Sequence, residues 1–128
     1  MATRRSRRRD SRGAVAVEFA LLLPILWLIF SGLVDFALAY NAQIQVSQAA
    51  QAGARASSLN GDALGKAQGA SPTLGLTAGD VSASGCSGGA DSTASVTVSY
   101  TFHPLLPVPG LTSDKTISQT AVTPCTPS

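Results

Sequence analysis

The chain has 128 residues, a formal net charge of +2, 45% hydrophobic residues and only 12% charged ones. Once a basic N-terminal stretch and a long apolar run are set aside, the remainder is smaller than an ordinary soluble domain. It can bury only a thin core, which excludes a two-domain protein and predicts one small module.

The modest net charge hides an asymmetry, with six arginines and one aspartate in residues 1–12 against three basic and six acidic side chains afterwards. Six arginines in so short a stretch suit nucleic acid or a nuclear address when a polar domain follows. Here an apolar helix follows, so topology is the better reading and no nucleic-acid partner is expected. By the positive-inside rule such arginines stay in the cytoplasm and the C-terminus crosses. A mitochondrial transit peptide would instead alternate basic and apolar residues.

Gly13 closes the basic stretch, and five residues later stands Glu18, the only glutamate of the chain. It precedes Phe19 at the start of an uncharged run over residues 19–34. A carboxylate in that setting is expensive in lipid and calls for a functional reason. With flanks from Ala14 to Tyr40 the run interrupts its apolar character only at Glu18 and Asp35, and it exceeds the roughly 20 helical residues that span a hydrocarbon core. Pro24 removes one backbone hydrogen bond and is expected to kink the helix or let it unwind locally. The chain is too small to surround this segment as a core helix.

Beyond Tyr40 the sequence turns to alanine and glutamine without a proline, so the helix is predicted to continue through residues 41–58 into water. Ala42, Val46, Ala49, Gly53 and Ala56 recur at steps of three or four, a ridge of small side chains suited to close packing. Leu59-Asn60-Gly61 supplies helix-terminating chemistry. A short helical piece around residues 62–68 and one poor strand near Val81 are predicted next, within a Gly, Ser, Thr and Ala-rich stretch.

Residues 95–102 alternate strictly, with Val96, Val98, Tyr100 and Phe102 on one side and Ser95, Thr97, Ser99 and Thr101 on the other. This predicts a half-buried antiparallel strand, and a second is expected over residues 115–122. The fold class is therefore α+β, a long N-terminal membrane-spanning helix continuing outside the membrane and packed by a small antiparallel sheet of two to four strands. The organisation expected is a basic leader at 1–13, a transmembrane helix at 14–40, its extracytoplasmic continuation at 41–58 and a β-rich module at 59–128.

Cys86 and Cys125 are the only cysteines. The topology puts both outside the cytoplasm, where a disulfide between them would close a loop of about 40 residues and contribute a few kcal/mol. No metal site is expected, because only His103 could join them. Asp62, Asp80, Asp91 and Asp114 each sit beside glycine or serine and suit turns. No nucleotide loop, paired carboxylates or nucleophile motif is present, so neither an enzyme nor a cofactor is expected. The loop from Leu105 to Leu111 is apolar, which fits either an exposed contact or leucines tucked under the hairpin.

The run Arg12-Gly13-Ala14-Val15-Ala16-Val17-Glu18-Phe19-Ala20-Leu21, the following Leu22-Leu23-Pro24-Ile25, the small-residue stretch from Ala49 to Arg55 and the late alternating strand resemble the TadE-like proteins. These are pilin-like subunits, or pseudopilins, of the tight-adherence (Flp-type) branch of type IV pilus systems. The resemblance implies that a prepilin peptidase cuts between Gly13 and Ala14, leaving Glu18 as the fifth mature residue. It further implies that Glu18, beside Phe19, neutralises a neighbour's N-terminal amine during assembly, the pair partly offsetting the desolvation of each charge. A glycine at the cut lets the scissile backbone approach the protease closely.

The implied partners are the prepilin peptidase, other pilin and pseudopilin subunits, the assembly platform of the cytoplasmic membrane and the lipid bilayer. The implied location is a single-pass cytoplasmic membrane protein with its C-terminus outside, then the pilus at the cell surface, contributing to adhesion. Major Flp pilins are very short and carry Glu-Tyr here, so Glu18-Phe19 and the added module fit a minor pilin or assembly subunit better. The alternative is a small secreted protein, since Ala37-Leu38-Ala39 satisfies the small-x-small rule of ordinary signal peptidase. Glu18, Asp35 and the helix continuing through that site speak against it.

Overall fold

In the computed structural model the chain is described over residues 7–88, 92–106 and 113–125, with side chains from Gly13 onward. Asp91 and residues 107–111 of the apolar loop lie outside these residues, as do residues 1–6. The element order is α1 (Arg7–Ser58), α2 (Ala63–Ala70), β1 (Val81–Ser84), β2 (Thr93–Phe102) and β3 (Lys115–Pro124). This is the expected α+β arrangement, with three strands in the sheet.

The chain divides into two units between Phe36 and Ala37. As far as it is described, the first is α1 alone. Its residues 13–30 are all exposed, and the largest apolar side chains stand open, Trp27 at 71% and Phe36 at 72% exposure. Apolar side chains all round a helix have no place in water, so the segment needs lipid or other helices about it. Gly13–Ser58 is the one stretch among the described residues that is long and apolar enough to cross a membrane. Ser31 returns its hydroxyl to Leu28 O at 2.9 Å, which satisfies a polar group that lipid would leave without a partner. The helix runs unbroken through Pro24.

The second unit begins with the outer part of α1 and lays it on the sheet. Ala42, Val46, Ala49, Ala50, Gly53, Ala54 and Ser57 are buried. The buried stripe thus follows the predicted ridge to Gly53 and then shifts by one residue, leaving Ala56 half-buried. The reason is the drift of a 3.6-residue period against fixed steps of three and four. A Cβ on Gly53 would stand 3.0 Å from Val96 Cγ1 and 3.3 Å from Ala63 O, so helix, strand and the start of α2 meet there closely enough that a larger residue would make its neighbours give by a few tenths of an ångström.

The sheet is an antiparallel meander of order β1-β2-β3. In its register Val98 faces Val81 and Gln119, Val96 faces Ala83 and Ala121, and Tyr100 faces Ile117. The core joins Val46, Ala49, Ala50 and Ala54 of α1 to Ala67, Leu76, Val96 and Val98, with Leu74, Val81, Tyr100, Ile117 and Ala121 packed at its margin. Val96 and Val98 are fully buried while no aromatic side chain is. The core is therefore thin, as the chain length requires.

Helix termination uses both expected residues. Asn60 adopts φ 54°. Gly61 N donates to Ala56 O at 2.8 Å and Asn60 N to Ser57 O at 3.2 Å. These are the two bonds of a Schellman motif, with asparagine at its left-handed position. Asp62, expected in a turn, is instead the N-cap of α2, its carboxylate accepting from Gly65 N at 3.0 Å.

Candidate processing and assembly segment

The side chains singled out by the sequence fall into two groups, one in each unit. In the first, Gly13, Ala14, Glu18 and Phe19 lie consecutively on α1, and all four are exposed. Residues four apart share one helical face, so Ala14 and Glu18 stand one turn from each other, about 6 Å along the axis. A Cβ at Gly13 would meet nothing within 4 Å, so its lack of a side chain answers no packing demand in the described residues. In a helix interior that glycine weakens the helix by up to about 1 kcal/mol relative to alanine.

The second group surrounds the disulfide. Cys86 follows β1 and Cys125 follows β3, and they are bonded with Cα atoms 6.0 Å apart. Since β1 and β3 are the two outer strands, the bridge ties them across the end of β2. Cys125 N donates to Ser92 O at 2.9 Å beside it. Ser57 Oγ donates to Ser84 O at 3.3 Å, and Cys86 Sγ lies 3.5 Å from Ser58 O. The end of α1, the end of β1 and the tail of β3 are thus gathered at one corner. Ser57 carried no signal in the sequence, because its role depends on a strand 27 residues away.

The remaining polar residues build turns. Asp80 Oδ2 accepts from Thr77 N at 2.8 Å and from Thr77 Oγ1 at 2.7 Å. The hydroxyl, then the backbone N–H, hold the Asp80 carboxyl below its ordinary value, while desolvation acts weakly the other way. His103 Nδ1 and Asp114 Oδ1 stand 2.9 Å apart, joining the residues just past β2 and just before β3. Both are largely exposed, which suits a clasp at the base of the loop. Leu105 and Leu106 are exposed at 66% and 42%, so these two leucines are not core. A groove of about 360 Å³ runs between Tyr40, Gln43, Ile44, Ser47 and Gln48 of α1 and Gln119 of β3. Its lining has no formal charge. Among the described residues no three metal-ligating side chains converge.

Residues 13–55 match the family model described as TadE-like protein, a span of 43 residues in the chain's 128. No curated protein and no solved structure matches the chain significantly. The matched span starts at Gly13, takes in Glu18 and Phe19 and runs to Arg55. Over this helix, the chain is similar to the TadE-like family.

Proposed function

We propose that the chain is a minor pilin or pilus-assembly subunit of a tight-adherence type IV pilus, cut by prepilin peptidase after Gly13 and assembled through its N-terminal helix. The observation that carries this reading is Glu18, an acid in the apolar part of α1 that is exposed throughout residues 13–30, one turn from the residue that follows Gly13. The family match beginning at Gly13 supports it.

The chemistry follows from the placement. Cleavage between Gly13 and Ala14 creates an ammonium at Ala14 and frees four backbone N–H groups at the new helix end, where the helix dipole adds partial positive charge. Glu18 lies within reach of that end in its own chain, and in a bundle of parallel helices it meets the same end of a neighbour displaced by about one turn. Pairing reduces the cost of holding either charge in an apolar bundle. The arginine leader stays with the cytoplasmic face before cleavage and sends residues 41–128 outside. The partners in this reading are the peptidase, other pilin-like subunits, the assembly platform and the bilayer.

The mature N-terminus is the decisive measurement. Intact mass or N-terminal sequencing of the protein from cells should give Ala14, whereas Tyr40 would assign the chain to ordinary signal peptidase and defeat the proposal. Glu18→Gln should leave membrane insertion intact and reduce co-purification with other pilin-like subunits about tenfold or more, since it leaves a buried amine unpaired. Unchanged co-purification would remove the charge-pairing role.

A further inference from the structure

The outward face of the sheet is lined by hydroxyls. Thr97, Ser99 and Thr101 of β2 stand opposite Thr120, Ser118 and Thr116 of β3. Their oxygens approach to 2.8, 3.2 and 3.5 Å respectively. On the other flank Ser84 Oγ meets Ser95 Oγ at 2.7 Å. The outward positions of the three described strands include no charged and no aromatic side chain, and one large apolar one, Val122 at 60% exposure. Natural sheets commonly protect an edge strand such as β3 with charge. The outward side of this one has none.

We propose that this face is a contact surface for a neutral, hydroxyl-rich polymer, a polysaccharide presented as an extended or solid array. Each pair of hydroxyls holds two donors and four lone pairs, and its mutual bond uses one of each, leaving one donor and three acceptor sites per pair. The face therefore donates and accepts along its paired rows, and their rotors are already oriented by their neighbours, which reduces the ordering cost of binding. Hydroxyl rows repeat at about 4.8 Å across the strands and about 6.7 Å along them, a periodic pattern that suits a periodic partner.

Other partners fit less well. The face has no cation for nucleic acid or an anionic headgroup and too little apolar surface for lipid. A second copy or another protein is disfavoured by area, because even ten residues by three strands cover less than about 500 Å², short of the roughly 800 Å² per partner of a standard stable interface. A weak contact of this size becomes useful when many copies engage one continuous polymer. The inference rests on the pilus reading only for that repetition, which an experiment can supply artificially.

Full-length chain reconstituted at many copies per vesicle should be retained on insoluble cellulose, with retention little changed between about 0.05 and 0.5 M salt. Replacing Thr97, Thr101, Thr116 and Thr120 together by valine removes the hydroxyls while keeping shape and strand propensity, and should lower retention about tenfold. The corresponding serine replacements should retain binding. Oxidised Cys86 and Cys125 and an unchanged circular dichroism spectrum would establish that each variant is folded. Absence of wild-type retention, retention unchanged or raised by valine, or loss of retention with salt would each overturn the proposal. Vesicles that cluster without polymer, and cease to do so in the valine variant, would overturn it in favour of a second copy. None of these readouts depends on cleavage or pilus assembly, which the mature N-terminus reports separately.

Discussion

At Asn60 a single residue decides where a long helix stops. Its φ of 54° lies in the region that disfavours residues with branched side chains. Asn60→Val should therefore lower the stability of the second unit by about 1–2 kcal/mol, whereas Asn60→Gly should be neutral or slightly stabilising; thermal midpoints of the two variants in detergent would separate them. Gly53 is the opposite case, a glycine held by contact and not by backbone angle. Gly53→Ala gains up to about 1 kcal/mol of helix propensity but forces Val96 and the Ala63 carbonyl to move, for which overpacking costs about 1–3 kcal/mol. The expected outcome is a net loss on the order of 1 kcal/mol, and an increase in thermal midpoint would show that the seam relaxes freely.

Asp80 gives a pH signature at the same scale. Its folded carboxyl is held low by Thr77, so the stabilisation is present above the unfolded value near about 4 and is lost as pH falls through the folded one. The advantage of the wild type over Asp80→Asn should accordingly shrink on going from pH 6 to below about pH 3. A difference that grows with acid would contradict this assignment. The helix stop at Leu59-Asn60-Gly61 was legible because it depends on neighbours in sequence. The Ser57 tether and the cap role of Asp62 were not, the first because its partner is distant, the second because an aspartate beside glycine suits a turn and an N-cap equally.

Among the elements, legibility follows periodicity. β2 was readable from its strict alternation, and its burial follows that alternation, with Ala94, Val96 and Val98 buried between less buried neighbours. β3 was readable more weakly and extends to Pro124, two residues past its expected end, because Thr123 and Pro124 pair with Ala94 and Thr93 where alternation alone offers no apolar residue to mark them. The helical ridge was visible in outline and displaced near its end, since burial follows the true helical period. The disulfide joins elements that share few other bonds, the outer strands β1 and β3. With a sequence separation of 39 residues, its loop-closure contribution is about 4 kcal/mol. Cys86→Ser with Cys125→Ser should then lower the thermal midpoint markedly and expose the corner at Ser57 and Ser84 to hydrogen exchange before the β2–β3 pairing opens. Uniform loss of protection would mean that the bridge sustains the whole unit instead.

For the whole molecule, the leader, the apolar helix and the disulfide form one testable chain of cause. In the proposed reading the leader's arginines set orientation, the exposed helix supplies the span, and the cysteines become bonded only where the compartment permits. The redox state of Cys86 and Cys125 therefore reports which side of the membrane the second unit has reached. Replacing Arg4, Arg5, Arg7, Arg8 and Arg9 by serine removes most of the N-terminal positive charge but leaves the apolar helix and both cysteines unchanged. Thiol alkylation followed by mass measurement should find the wild type fully oxidised and the variant divided between oxidised and reduced chains, with the reduced fraction protected from external protease. If every variant chain remains oxidised, orientation comes from the helix itself. A wild type with free thiols would place the second unit on the cytoplasmic side, and the direction assigned to the leader would have to be reversed.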